Sequence, residues 1–124
     1  MTYPTELRFT SHVMGNNAAY ELCKHSVDQT IRSHFSLPSY DDGGLKDAIM
    51  SVWLDAAHIG VVEVYKIQAV SFRDLTEFDA EIGGFSSLEE LKKALRRAGF
   101  RFRPLEQYDG YRVRFRWVMK EVSK

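Results

Sequence analysis

The sequence predicts an α+β fold, a small β-barrel with short helices at its rim. Its hydrophobic patterns run in the order strand, helix, strand, further strands, two short helices and a closing strand. The segment 59–72 is long and dense in β-branched residues, and the segment 111–118 alternates apolar residues with arginine. Because 124 residues without a repeat or a linker suit one domain, we expect a single domain over 1–124.

The first third of the chain predicts two short strands around one helix. We expect a strand over 6–9 and a helix over about 17–25, where apolar residues recur at helical spacing after an interruption at Gly15. β-branched neighbours favour a short strand over 29–32. The stretch 33–44 is rich in Ser, Pro, Asp and Gly, which is typical of a loop.

Two neighbouring strands are predicted next. The segments 48–54 and 59–72 flank a turn near 55–58. The apolar residues of the second segment change phase along its length. This change indicates a bent strand with both faces partly covered.

Capping patterns then mark two short helices. Thr76 and Asp79 provide a helix cap with an acidic third position, and Ser87 with Glu90 forms a capping box at the start of the next helix. That second helix has a stripe of leucines for burial and a fitting stop at Gly99.

The closing strand over 111–118 separates its side chains by chemical type. Strict alternation directs its apolar side chains to the core and its arginines to the opposite face. The three arginines are Arg112, Arg114 and Arg116. Because stacked arginines repel one another, they need acids such as Glu63 or Asp55 on a neighbouring strand, or an anionic partner. Pairing with those acids would make the arginines structural, whereas unpaired arginines would form a second anion-binding face.

Composition excludes several classes of protein. Hydrophobic residues make up 44% of the chain, and no apolar run approaches the roughly 20 residues that a membrane-spanning helix needs. The first residues lack a secretory signal pattern, so we expect a cytoplasmic location and no membrane partner. Cys23 is the only cysteine, which excludes an internal disulfide and favours a buried or idle thiol. The four histidines show no metal-binding spacing, so we expect no metal and no cofactor.

Charge is balanced overall but unevenly distributed. The chain has 17 basic and 17 acidic residues. Residues 92–124 hold eleven basic residues against three acidic ones, a net charge of +8, which leaves −8 on the first 91 residues. Such a division indicates either a basic binding face or two parts that attract each other in the folded chain.

Several motifs occur along the chain in a recognisable order. They are Thr30-Ile31-Arg32, the strand ending in Phe72-Arg73-Asp74-Leu75, Asp74–Ala80, Gly84–Lys92 and Tyr111–Phe115. Together they resemble the ASCH domain, the activating signal cointegrator homology family, which is related to the PUA fold. The resemblance covers about residues 8 to 117, and its most specific part is Asp-Leu-Thr followed by Asp-Ala and Gly-Phe-x-Ser-Leu-x-Glu-Leu.

This resemblance implies a PUA-like β-barrel with a cleft between the first helix, the strand 30–32 and the segment 74–85. ASCH domains are regarded mainly as RNA-binding modules, so the implied partner is RNA, a nucleotide or a nucleoside. One bacterial branch resembles small amidohydrolases that remove acyl groups from modified cytidine. Because a fold does not determine a function, both activities remain hypotheses at this point.

The amidohydrolase branch uses a threonine, a lysine and a glutamate. Carried over by position, the threonine falls on Thr30, the lysine on Val27 and the glutamate on Gly83. Valine and glycine can neither accept a proton nor hold a charge. A displaced arrangement would have to use Lys24 and Glu81.

Arg32 is the strongest candidate for binding, together with Thr30 and Ser33 at the implied cleft. Its planar guanidinium suits a phosphate or the edge of a base. The structural alternative is a salt bridge to Asp28 or to an acid in the 41–47 loop.

A basic rim follows on the second predicted helix and just beyond it. Its residues are Lys92, Lys93, Arg96, Arg97, Arg101 and Arg103. The rim suits either phosphate binding or a merely solvated helix face on which Glu89 pairs with Lys93. Tyr65, Phe72 and Trp53 are candidates for base stacking, although aromatic residues in the strands of a small barrel are more often core.

The sequence therefore favours a noncatalytic module that binds RNA or a nucleotide through the cleft and the basic rim. An amidohydrolase acting on acylated cytidine is the first alternative. A protein-interaction domain, whose acidic and basic sides serve assembly, is the second.

Overall fold

A computed structural model describes residues 6–32, 48–100 and 110–118 of the chain. The strands are β1 (Glu6–Phe9), β2 (Gln29–Arg32), β3 (Ala48–Leu54), β4 (Ala57–Val70) and β5 (Gly110–Trp117). The helices of the described residues are α1 (Ser11–Met14), α2 (Asn16–Cys23), α3 (Glu77–Ile82) and α4 (Leu88–Arg97), and a 3₁₀ turn spans Phe72–Asp74.

The five strands form one curled sheet in the order β1-β3-β4-β5-β2. β1 pairs with β3 in parallel, whereas the other three pairings are antiparallel. The sheet curls into a half-barrel, and the short helices pack around it. This architecture confirms the predicted α+β fold with a small PUA-like barrel.

The predicted strands agree closely with the observed ones except at the ends of the long strand, since the segment expected over 59–72 already ends at Val70 and Phe72 begins the 3₁₀ turn. β1, β2 and β3 have the predicted bounds. The turn between β3 and β4 is shorter than expected, because Asp55 adopts a left-handed conformation with φ 55° and the next strand already begins at Ala57. The predicted bend in β4 is a register shift against β5 between Val64 and Lys66.

The first helical region differs from the prediction. Helix begins at Ser11 instead of residue 17, because the Thr10 side chain accepts a hydrogen bond from the Val13 backbone and caps α1. Gly15, with φ 90°, then separates α1 from α2. α2 ends at Cys23, whose thiol is exposed and not buried.

Of the two predicted caps, the one at Thr76 is complete, whereas the capping box predicted at Ser87 is only half formed. The Asp79 backbone donates to the Thr76 hydroxyl (3.2 Å), and the Thr76 backbone donates in return to the Asp79 carboxylate (2.9 Å), so α3 begins with a reciprocal capping box. Ser87 caps α4 by accepting from the Glu90 backbone.

Apolar side chains of the described residues form two core clusters. The first joins β1, β3, β4 and β5 to α1 and α2, and it contains Val113 and Phe115 of the closing strand, both almost fully buried. The second lies beneath α3 and α4 and includes Ile31 and Phe72. Phe85 packs against both clusters, so it connects the two parts of the core.

The arginine face of β5 is held mainly by Asp79. Arg112 donates to both oxygens of this carboxylate, at 2.8 and 2.9 Å. Gln29 donates to the same carboxylate (3.0 Å) and accepts from Arg114 (2.9 Å). Asp79 is only 2% exposed, so the network is a buried one that joins α3 to β5 and β2.

The acids expected beside the arginines have divergent roles. Glu63 pairs with Arg116 at 3.3 Å, as predicted. The prediction for Asp55 is wrong, because its carboxylate accepts from the backbone and hydroxyl of Ser11 at the start of α1. With partners for all three arginines, the face is at least partly structural.

The hydrogen bonds around Asp79 also shift its ionisation. Burial on its own would raise the pKa of Asp79, but hydrogen bonds from Arg112, Gln29 and Thr76, together with the Arg112 charge, lower that pKa below the ordinary value of 3.8. The carboxylate is therefore charged in the folded protein at neutral pH.

Asp79→Asn should lower the free energy of unfolding by about 3 kcal/mol, because it leaves the partly buried Arg112 without a counter-charge. Glu63→Gln is the matched control, since it removes the acid of the exposed Arg116 pair and should cost less than about 1 kcal/mol. Urea unfolding of both variants measures the difference. Equal losses would show that the Asp79 network does not stabilise the fold in this way.

The Asp79 contribution should depend on pH in one direction. Since its pKa is lower in the folded than in the unfolded chain, the stabilisation is complete above the unfolded value of 3.8 and is lost as the pH falls through the folded value. Urea unfolding from about pH 7 down to about pH 2 should therefore show the advantage of the wild type over Asp79→Asn shrinking below about pH 4. An advantage that stays constant to the lowest pH would contradict this assignment.

Candidate functional site

A cleft of about 340 Å³ opens where the curled sheet fails to close. β1 and β2 are the two edge strands, and residues from the ends of both line the cleft. It lies between α1, β2 and the 74–85 segment, and α4 adds a further wall. The strand and the segment are those that the resemblance implies, but the helix expected over about 17–25 corresponds to α2, and no residue of α2 lines the cleft. Its volume falls at the lower end of the range for small-molecule sites.

Apolar side chains form most of the cleft wall. Phe9 and Met14 lie on the side of β1 and α1. Phe85, Leu95 and Phe100 lie on the side of α3 and α4. Three phenylalanines give the cleft flat surfaces that suit a planar ring.

Arg32 is the cation of this cleft. Its Nη2 donates to the Arg8 carbonyl oxygen of β1 (3.0 Å), its Nε donates to the Thr30 hydroxyl (3.2 Å), and its guanidinium lies 4.8 Å from the centre of the Phe9 ring. Arg32 thus bridges the two edge strands that the sheet leaves unpaired. Gly110 makes room for this end of β2, since a Cβ there would lie 2.6 Å from the Arg32 carbonyl oxygen.

No carboxylate pairs with Arg32 among residues 6–32, 48–100 and 110–118. Desolvation by burial lowers the pKa of Arg32 to about 10, which still leaves it charged at neutral pH. Asp28 does not pair with Arg32. Asp28 is an exposed residue, but desolvation of its carboxyl still raises the pKa of that group. The acids of the 41–47 loop lie outside the described residues.

The polar floor of the cleft is already engaged. Gln29 and Asp79 line it, but the Asp79 carboxylate accepts from Arg112 and Gln29, and the Gln29 amide oxygen accepts from Arg114. They therefore supply a fixed polar surface and no mobile base.

Thr30 lines the cleft beside Arg32, but the other two positions of the amidohydrolase triad offer no catalytic group. Val27 is fully buried in the core. Gly83 borders the cleft without a side chain, and a Cβ there would lie 3.1 Å from the Asp79 carbonyl oxygen. Lys24 and Glu81 are exposed and do not line the cleft.

The basic rim and the cleft use opposite faces of α4. Leu91, Ala94, Leu95 and Ala98 line the cleft, as the predicted leucine stripe indicates. Lys93 and Arg96 are exposed on the other side.

Two rim residues have defined partners on the protein itself. Lys93 pairs with Glu90 (3.6 Å) instead of Glu89, and Arg97 donates to the Val13 carbonyl oxygen (2.8 Å), which ties α4 to α1. Lys92 is partly buried. Ser33, Arg101 and Arg103 lie outside the described residues.

The three aromatic candidates for base stacking differ in their exposure. Phe72 is only 1% exposed and belongs to the core, as predicted. Trp53 is partly buried and meets His58 edge to face. Tyr65 is 43% exposed, which excludes the core alternative for this residue.

Sequence reasoning missed the apolar walls from β1 and from the end of α4. Phe9 and Phe100 are separated by most of the chain, and nothing in the sequence distinguishes either of them from an ordinary hydrophobic residue. The only usable signal was the leucine stripe of α4, which marks a buried face without showing what lies opposite it.

No protein-family model and no curated protein match the chain. Two solved structures are similar to it. One is the crystal structure of a protein from Enterococcus faecalis V583 in the family DUF984, with 16% identity, 95% of this chain and 82% of that chain covered, and a TM-score of 0.58. The other is an ASCH domain from Lactobacillus crispatus JV V101, with 16% identity, 89% and 79% covered, and a TM-score of 0.51. The chain thus has an ASCH-like fold.

The described parts of the chain contain no group of three or more His, Cys, Asp or Glu side chains placed to hold a metal ion. None of their helices is long and apolar enough to cross a bilayer.

Proposed function

We propose that this ASCH-like module binds RNA or a nucleotide without catalysis, and that one nucleotide occupies the cleft beside Thr30 and Arg32. The observation that carries the proposal is Arg32, a partly buried guanidinium at an apolar cleft that has no carboxylate partner among the described residues. A buried charge without a counter-charge is costly, so an anionic ligand at this position would be favoured.

The remaining cleft chemistry suits a nucleotide better than a simple anion. The Nη1 group of Arg32 makes no hydrogen bond to a described residue and remains for a phosphate oxygen. Thr30 accepts from Arg32 and keeps its own hydroxyl proton for donation. The phenylalanine walls offer the flat apolar surface that a base requires.

The absence of catalysis is supported by the surroundings of Thr30. A threonine nucleophile needs a nearby group to take its proton. Among the described residues lining the cleft, the carboxylate is Asp79, whose oxygens accept from Arg112, Gln29 and Thr76.

The basic rim has a different place in this proposal. Because Lys93 and Arg96 lie on the face of α4 away from the cleft, they would meet other phosphates of a longer RNA and not the nucleotide in the cleft. Their charges would also raise the rate of encounter at low salt.

Arg32→Gln should weaken binding of nucleoside 5′-monophosphates about tenfold to hundredfold, because a hydrogen bond from a charged donor is lost. Arg8→Gln is the matched control on the other edge strand, since its side chain pairs with Glu6 outside the cleft and should leave affinity unchanged. Isothermal titration at low salt measures both. Absence of binding by the wild type, or equal affinity of wild type and Arg32→Gln, would contradict the proposal.

Wild-type protein should release no free acid from a panel of acylated cytidines, because Thr30 has no available base among the described residues. Chromatography of the reaction mixtures measures this outcome. Thr30→Ala should instead weaken nucleotide binding several-fold through loss of a neutral hydrogen bond. Acid release that disappears in Thr30→Ala would establish the amidohydrolase alternative.

A further inference from the structure

Two exposed aromatic rings, one on β4 and one on α3, each lie beside an arginine of β5. Tyr65 is 43% exposed and Phe78 is 55% exposed. The Arg116 guanidinium lies 4.6 Å from the centre of the Tyr65 ring, and that of Arg114 lies 5.6 Å from the centre of the Phe78 ring. We call these four residues and Lys66, which is exposed directly opposite Arg114, the outer-face platform.

The platform is held in place by the surrounding structure. Tyr65 lies at the register shift between Val64 and Lys66, where a bulge redirects the side chain. Phe78 precedes Asp79, whose carboxylate anchors α3 to β5. Arg114 is oriented by its hydrogen bond to Gln29. A ligand would therefore meet rings and cations that are already positioned.

The cations of the platform are available to a ligand. Arg116 pairs with Glu63, but this pair is exposed and such pairs contribute little. Arg114 uses only Nε towards a described residue, which leaves its two Nη groups. Lys66 forms no ion pair with any residue that the structure describes.

We propose that the outer-face platform binds single-stranded nucleic acid, with bases stacked on Tyr65 and Phe78 and phosphates on Arg114, Arg116 and Lys66. Alternating flat rings and cations match a polymer that alternates bases and phosphates. An apolar protein surface would have to cover three cations without compensating them. An acidic peptide would satisfy the cations but leave the two exposed rings without an equivalent partner.

The spacing on β5 supports this occupant. Arg114 and Arg116 are two residues apart on one strand, which places their Cα atoms about 7 Å from each other. That distance is close to the separation of neighbouring phosphates in an extended single strand. Each arginine also lies over its own ring, so one ring is available for each phosphate.

The platform is separate from the cleft, because none of its five residues lines the cleft. The inference therefore goes beyond the nucleotide proposed for the cleft and does not depend on it. The affinity for a mononucleotide should depend on Arg32, whereas the affinity for a longer single strand should depend on the platform.

Fluorescence anisotropy with a labelled 12-nucleotide oligouridylate at low salt provides the test. Tyr65→Ala combined with Phe78→Ala should weaken binding at least tenfold, because two stacking surfaces are lost. Tyr20→Ala is the matched control, since Tyr20 is 62% exposed on α2 and lies 5.0 Å from the Lys24 ammonium. It should leave the affinity unchanged, and circular dichroism of each variant verifies folding.

A second arm separates stacking from charge. Arg116→Gln combined with Lys66→Gln should weaken oligouridylate binding and reduce its salt dependence, whereas Lys24→Gln should do neither. Inorganic polyphosphate has no bases, so its binding should decrease with the charge variants and remain unchanged with the aromatic ones.

Three results would overturn the platform proposal. The first is an oligouridylate affinity that survives loss of both rings. The second is an equal decrease in polyphosphate binding on loss of the rings, which would leave charge alone. The third is a decrease confined to Arg32→Gln or to Lys93→Glu with Arg96→Glu, which would place the strand at the cleft or the basic rim and leave the function proposed for the cleft intact.

Discussion

The carboxylate of Asp79 is the interaction on which the rest of this structure depends. It caps α3 through Thr76, forms a bidentate pair with Arg112 of β5 and accepts from Gln29 of β2. One buried group thus fixes a helix, the closing strand and an edge strand relative to one another. Its charge is tolerated in the interior because Arg112, Gln29 and Thr76 all donate to it. These hydrogen bonds, together with the Arg112 charge, outweigh the cost of burial.

That constraint determines where the sheet remains open. β2 is held on one side by β5 and by the Asp79 network, so its other edge faces β1 without a strand between them. Arg32 crosses this gap by donating to the Arg8 carbonyl oxygen, which satisfies an acceptor on an unpaired strand edge. The same position leaves a cation at the cleft. A residue that supports the fold is therefore also the residue best placed to bind an anion.

The arginines of β5 show how one sequence pattern leads to different environments. Arg112 is partly buried against a carboxylate, Arg114 is oriented by an amide, and Arg116 is exposed beside a weak pair. Arg112 thus has a structural role, whereas the exposed Arg116 is open to ligands.

The sequence alone determined the bounds of β1, β2 and β3, the cap residues of α3 and α4, and the alternation of β5, because these depend on neighbours within a few residues. It also carried the resemblance from which the cleft could be placed beside Arg32. Only the tertiary structure decided that Asp79 pairs with Arg112, that Phe9 and Phe100 wall the cleft, and that Tyr65 is exposed. Each of these depends on segments far apart in the chain, and local periodicity contains no information about which distant side chain will meet which.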